Sequence, residues 1–408
     1  MKKLDVVVCV SILLYLTISI ESQSISSPDT PPMLALKASL GNPESLGWSD
    51  PDPCKWAHVS CYNNRVTDIQ IGNQNLKGTL PQDLNNLTWL KKLDVMKNQL
   101  SGPLPILSEL NSLQQVLIFS ANGANVIGTI PNFLEANTFP GLKHLHLAFN
   151  NIQGPILLGF ENTFLQSLWL NGQMSESKLN GSIAVLQNMT YLTKVWLHGN
   201  EFTGPMPDLS RLSNFNQLSL RDNNLMGIVP LSVVNHPKLA IVNLTNNYLQ
   251  GPTPKFDTFK VAVDMNKGSN NFCLDEPGTP YDDRVNILLS ILEPLGYPAI
   301  PTHAWKGNDP CPNIKRWSGI YCDQRNIIFV YMIYWGLSGT ISPYFSKFLS
   351  LERLYLRNNS LTDTIPNGLT TLSKLKWLDV SHNNLSSKIP HFRPNVRVYT
   401  EGNPNIGK

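Results

Sequence analysis

The chain has 408 residues, only 15% of them charged, and a formal net charge of +3. So small a balance gives no reason to expect nucleic acid or an anionic membrane surface as a partner. Asn, Leu, Pro and Gly are abundant, a composition that suits a repeat solenoid better than a globule, which at this length would divide into two or three domains.

Met1, Lys2 and Lys3 followed by the apolar run 6–20 read as a secretory signal over residues 1–22, with cleavage near Ser22 or Ser24. Fifteen apolar residues are short for a membrane span, and no second run of that kind follows. A secreted chain meets an oxidising compartment, where cysteines pair. Residues 23–65 then read as a cap. Its Trp48, Asp52, Pro53, Cys54, Trp56 and Cys61 recur further on as Trp305, Asp309, Pro310, Cys311, Trp317 and Cys322. A repeat array exposes a hydrophobic end that an atypical unit must cover, so two caps mean two repeat blocks. Cys54–Cys61 and Cys311–Cys322 are natural local disulfides, each worth roughly 2–3 kcal/mol through the short loop it closes. The rival, a zinc site, fails because the pairs lie in different caps at unequal spacings; no metal or cofactor is expected.

Residues 66–254 form the first block. The pattern L-x-x-L-x-L-x-x-N-x-L-x-G-x-I-P recurs about every 24 residues, as in Leu90, Leu93, Val95, Asn98, Leu100, Gly102, Leu104 and Pro105. Eight strand segments begin near Val66, Leu90, Leu113, Leu142, Leu165, Leu192, Phe215 and Leu239. One strand per repeat stacks in parallel and points its leucines into a shared core, while the asparagine bonds backbone that would otherwise be buried unpaired. Residues 255–326 are a non-repeat island carrying the second cap. One helix is expected in it, with Asp282 and Asp283 opening the apolar stretch 285–295, and its docking on the second cap is favoured over a partner. The second block, residues 327–390, has segments near Ile327, Leu351 and Leu375, and residues 391–408 are a terminal cap or tail. Degenerate closing strands are expected at 261–263 and 396–398. The fold class is therefore an α/β leucine-rich repeat solenoid, two blocks with a parallel concave sheet separated by the island.

Six Asn-x-Ser/Thr sequons fit secretion: Asn86, Asn180, Asn188, Asn243, Asn358 and Asn384. The turn asparagine of the repeat itself generates some of these matches. No catalytic constellation is found; His144 and His146 share a strand, but no Cys, Ser or carboxylate stands at a spacing that suggests a relay. Recognition without chemistry is the better reading. The position between the two core leucines is held by His146, Trp169, Trp196, Ser219 and Asn243 in successive repeats, and just past it lie Ala148, Asn171, His198, Arg221 and Thr245. Parallel stacking sets these side by side. Two adjacent exposed tryptophans beside His146, His198 and Arg221 make a partner-binding patch, because Trp and Arg dominate such sites.

The stretch from Phe139 to Asn150, the run from Gln166 to Gly172, Gly181 to Thr190, Trp305 to Cys311, Gly339 to Pro343 and the closing Gly402 to Lys408 resemble the ectodomain of the plant TMK-type (transmembrane kinase) receptor kinases. The resemblance covers nearly the whole chain after the signal. It implies a secreted or plasma-membrane extracellular location and a role in auxin-related growth signalling through an extracellular protein or peptide partner, one like an auxin-binding protein. Family members continue into a linker, a membrane helix and a kinase. This chain ends at Lys408 without Gly-rich, His-Arg-Asp or Asp-Phe-Gly motifs, so kinase activity is not carried over, and membrane contact is expected only if the chain continues past Lys408. Two further departures stand out. Leu113 to Pro131 is compressed by about two repeats against the family pattern, and a register fault there would leave backbone groups unpaired. The family also pairs a cysteine like Cys273 with one where this chain has Tyr281. Cys273 is thus expected to be a free thiol, only partly buried by its neighbours, and to form some disulfide-linked dimer. The alternatives are a non-signalling decoy or a secreted inhibitor like those of cell-wall polygalacturonases, whose single uninterrupted block lacks an island.

Overall fold

The computed structural model describes residues 26–107, 118–135, 141–278, 281–295, 297–312 and 316–407. The secretory signal and the start of the third repeat near Leu113 lie outside these residues. The first block is built on one ten-stranded sheet. An antiparallel hairpin, Val59–Tyr62 with Arg65–Gln70, opens it. The strands Lys92–Asp94, Ile118–Ser120, His144–His146, Ser167–Trp169, Lys194–Trp196, Gln217–Ser219 and Ile241–Asn243 follow in parallel, and Ala262–Asp264 closes it. Among the described residues the ladder passes from one side of the compressed stretch to the other without a register fault: Leu93 pairs with Phe119, and Phe119 with Leu145. The second block repeats the plan with five strands, Ile320–Asp323, Asn326–Tyr331, Arg353–Tyr355, Trp377–Asp379 and Arg397–Tyr399. The fold is the α/β leucine-rich repeat solenoid that the period implies.

Alternation explains the burial. Leu145, Leu168, Val195, Leu218 and Val242 are fully buried, whereas His146, Trp169, Trp196 and Asn243 beside them keep partial exposure on the other face. The repeat asparagines work as expected. Asn98 Nδ2 donates to the carbonyls of Ile71 and Val95, and its Oδ1 accepts from the amides of Gln74 and Leu76. Asn150, Asn223, Asn247 and Asn383 bridge successive repeats in the same way. Where the repeat has no asparagine, Gln173 takes over, donating to Leu147 and Leu170.

The two caps match in detail. Each holds its predicted disulfide, Cys54–Cys61 and Cys311–Cys322, with Cα separations of 5.5 and 5.7 Å. Each also stacks two tryptophans, Trp48 on Trp56 and Trp305 on Trp317, at 4.7 and 5.2 Å between ring centroids. Every one of those indole N–H groups donates to a backbone carbonyl.

The island carries the helix Asp283–Leu292, capped by Asp282, whose carboxylate accepts from the Arg284 amide. Its buried Val285, Leu288, Ile291 and Leu292 belong to the core of the second block, so it docks on the second cap's side. Its opposite flank faces the first block across a cleft of about 360 Å³ that Asn286, Leu289 and Glu293 line together with Met206 and Ile228. Tyr297, just beyond the helix, lies over Gly227. A Cβ there would come within 2.8 Å of the Tyr297 ring, and the glycine sits at φ +78, so no other residue fits without strain.

Candidate recognition surface

The concave sheet face of the first block brings His146, Trp169 and Trp196 into one column, because each pairs with the next in register. The rings stack nearly parallel: His146 on Trp169 at 3.8 Å and 10°, Trp169 on Trp196 at 4.5 Å and 9°. Trp169 therefore has both faces covered. All three side chains are half-buried rather than freely exposed as the sequence suggested, and the cause is this mutual stacking.

Beneath the column lies a contact that the sequence reading excluded. Ser167 Oγ is 2.9 Å from His144 Nδ1 and 2.7 Å from His146 Nε2. The serine comes from the next repeat, so chain spacing could not show it. The geometry is unlike a relay: Ser167 is buried, Trp169 covers His146, and among the described residues no carboxylate bonds to either ring. Burial, with His144 alongside, lowers the His146 pKa to about 4. Burial followed by Lys143 and Lys194 lowers that of His144.

His198 and Arg221 stand one column over and join the patch only in part. His198 Nδ1 is 2.9 Å from Ser219 Oγ, and burial, then Arg221, lowers its pKa. Arg221 is committed inside the chain, 2.9 Å from Asp222 and 3.0 Å from Asp264, so it braces the sheet and is not a free guanidinium. Two buried polar atoms of the patch, Trp169 Nε1 and Asn171 Oδ1, have no hydrogen-bond partner among the described residues.

The sequons differ in access. Asn86 and Asn384 are exposed. Asn188 is bonded to Glu161 and Arg211, Asn180 to the Lys178 carbonyl, and Asn243 to Ser219 on the concave face. Asn358 has its Nδ2 buried, so a glycan there would need the side chain to turn outward.

The second block carries a face of the same kind, set by the same repeat register. In the second block Phe329, Arg353, Trp377 and Arg397 align in register. The Arg353 guanidinium lies 4.7 Å from the Phe329 ring centroid and 4.4 Å from that of Trp377, and Arg397 covers the other side of Trp377 at 5.9 Å.

The leucine rich repeat N-terminal domain family matches residues 26–62 and again 282–323, and the leucine rich repeat family matches 342–385. Receptor-like kinase TMK2 of Arabidopsis thaliana is 42% identical over 379 residues, taking in 80% of this chain and 42% of its own length. TMK4 of the same plant is 33% identical over 396 residues, 85% of this chain and 42% of its own length. Across most of its length the chain is similar to the TMK-type receptor-like kinases. It spans about two fifths of the length of these relatives, and the matched region is the extracellular leucine-rich ectodomain. The aligned stretch of TMK2 holds 379 positions but only 80% of these 408 residues, so about two repeats of positions have no counterpart here. In shape the chain is similar to the PEPR1–AtPEP1 crystal structure, with a TM-score of 0.53 and 23% identity over 89% of this chain and 46% of that one; at that identity the likeness shows the fold. No helix among the described residues is long and apolar enough to cross a membrane.

Proposed function

We propose that this TMK-type ectodomain is an extracellular recognition module that binds a protein or peptide partner on the concave face of its first block and performs no chemistry of its own. The observation that carries this reading is the stacked column His146–Trp169–Trp196. Three successive repeats place large rings where the repeat itself requires no ring, and rings of this size and rigidity supply most of the binding energy at protein interfaces. By its relationship to the TMK receptors, the partner is an auxin-binding-protein-like protein in growth signalling.

The test is the double variant Trp169→Ala, Trp196→Ala. Both side chains stand on the outer face of their strands, so secretion and melting temperature should stay close to the parent while binding to an auxin-binding-protein-like partner falls by about tenfold or more. Retention of the variant unfolded in the cell, or unchanged binding by a folded one, would refute the site.

A further inference from the structure

We propose that the sheet face of the second block is a separate recognition surface, built from Arg353 and Arg397 around Trp377 with the exposed Arg357 just past its strand, that takes an acidic segment of a partner protein.

Elsewhere most of the described arginines are used within the chain. Arg65 pairs with Asp29, Arg221 with Asp222 and Asp264, Arg284 with Asp282 and Asp309, and Arg325 with Asp282. Arg211 donates to Asn188 and Arg393 to the Leu372 carbonyl. Arg316 is exposed in the second cap. Arg353, Arg357 and Arg397 differ, having no carboxylate partner among the described residues, and Arg353 Nε is buried without any hydrogen-bond partner. Of the carboxylates nearby, Asp379 is buried and accepts from the amide and hydroxyl of Ser381, while Glu352 pairs with Lys376 at 2.8 Å. Glu401 lies past the last strand, on the exposed end. Ser381 does not neutralise Asp379, and Glu401 takes the place after its strand that Arg357 takes after its own, so three arginines stand against two carboxylates that no cation among the described residues pairs and the face keeps an excess of one positive charge.

Its geometry selects the kind of anion. The guanidinium of Arg353 is held between Phe329 and Trp377, and its planar fork is the group that a carboxylate meets bidentately. Tyr331, Tyr355, Asp379 and Tyr399 form the next column in register; the three tyrosines can donate through their hydroxyls, while the buried Asp379 is turned to Ser381. An acidic polysaccharide fits less well. A sugar ring needs an open aromatic face, whereas both faces of Trp377 are covered by guanidinium groups and Tyr331 and Tyr355 are tilted by 53° to each other. A peptide that offers carboxylates on flexible side chains needs no such platform.

The full chain would be titrated by fluorescence anisotropy with a labelled glutamate-rich peptide, its glutamine counterpart and an oligogalacturonate. The glutamate peptide should bind with an affinity that falls as salt rises. The double variant Arg353→Gln, Arg397→Gln should weaken it about tenfold or more, while the exposed off-face control Lys374→Gln leaves it unchanged. Arg397→Gln alone removes only an exposed side chain, so it carries the test should the double variant fold poorly. Equal binding of the glutamine peptide, tighter binding of the oligogalacturonate, or unchanged affinity in folded Arg397→Gln and double variants would each overturn the proposal.

Discussion

His146 is a base held in a place that excludes its charged form. Its folded pKa of about 4 lies below the ordinary value of 6.5, so between those limits the unfolded chain binds more protons than the folded one. Stability is therefore fully present above pH 6.5 and is lost as pH falls towards 4. Melting temperatures across that window should drop in the parent and drop less in His146→Phe, which keeps the ring in the stack and removes the proton site. An equal slope in both would show that other groups carry the pH dependence. Cys273 is the residue at which the sequence misled most. Its polar neighbours suggested partial burial and intermolecular bridging, but it is 6% exposed and lies in the second core, where burial pushes its pKa up to about 11. With so little thiolate at neutral pH it neither attacks nor pairs readily. Native protein should resist iodoacetamide until denaturant is added and should run as a single chain on non-reducing gels; disulfide-linked dimers would contradict the structure.

At the level of the element, the island helix shows how local signals and long-range packing divide the work. Its start was legible: Asp282 caps it, and the Arg284 side chain returns to Asp282 at 2.8 Å and to Asp309 of the second cap at 3.1 Å. Replacing Asp282 with Ala should cost about 1–2 kcal/mol by removing the cap and leaving Arg284 half-satisfied. Chemical unfolding measures this, and a change below about 0.3 kcal/mol would show that packing alone holds the helix. The repeat strands, the asparagine ladder and both caps could also be read from the chain, because each depends on spacing within one repeat. Ser167 beneath His144 and His146, Asp264 on Arg221 and the burial of Cys273 could not be, since they depend on residues one or two repeats away. The arginine face of the second block was available in principle: its register follows the same period as the tryptophan column.

The whole molecule has two cores that meet at the island. Phe272 packs on the first core and its neighbour Cys273 belongs to the second. Tyr248 packs against His303 with ring centroids 4.2 Å apart and the rings tilted by 44°, and Gln250 donates to the Trp305 carbonyl, so the last repeat of the first block touches the second cap directly. Two concave faces, one of stacked neutral rings and one of stacked guanidinium groups, are thereby carried on one chain. This is an architecture for holding a partner, and its central claim is that the partner lies on the sheet. Hydrogen–deuterium exchange of the ectodomain, free and bound to an auxin-binding-protein-like partner, tests this most directly. The account predicts new protection in the segments around His144–His146, Ser167–Trp169 and Lys194–Trp196. Protection confined to the opposite edge, around Gln82–Asn86, Leu158–Asn162 and Ala184–Asn188, with the sheet unchanged, would contradict it.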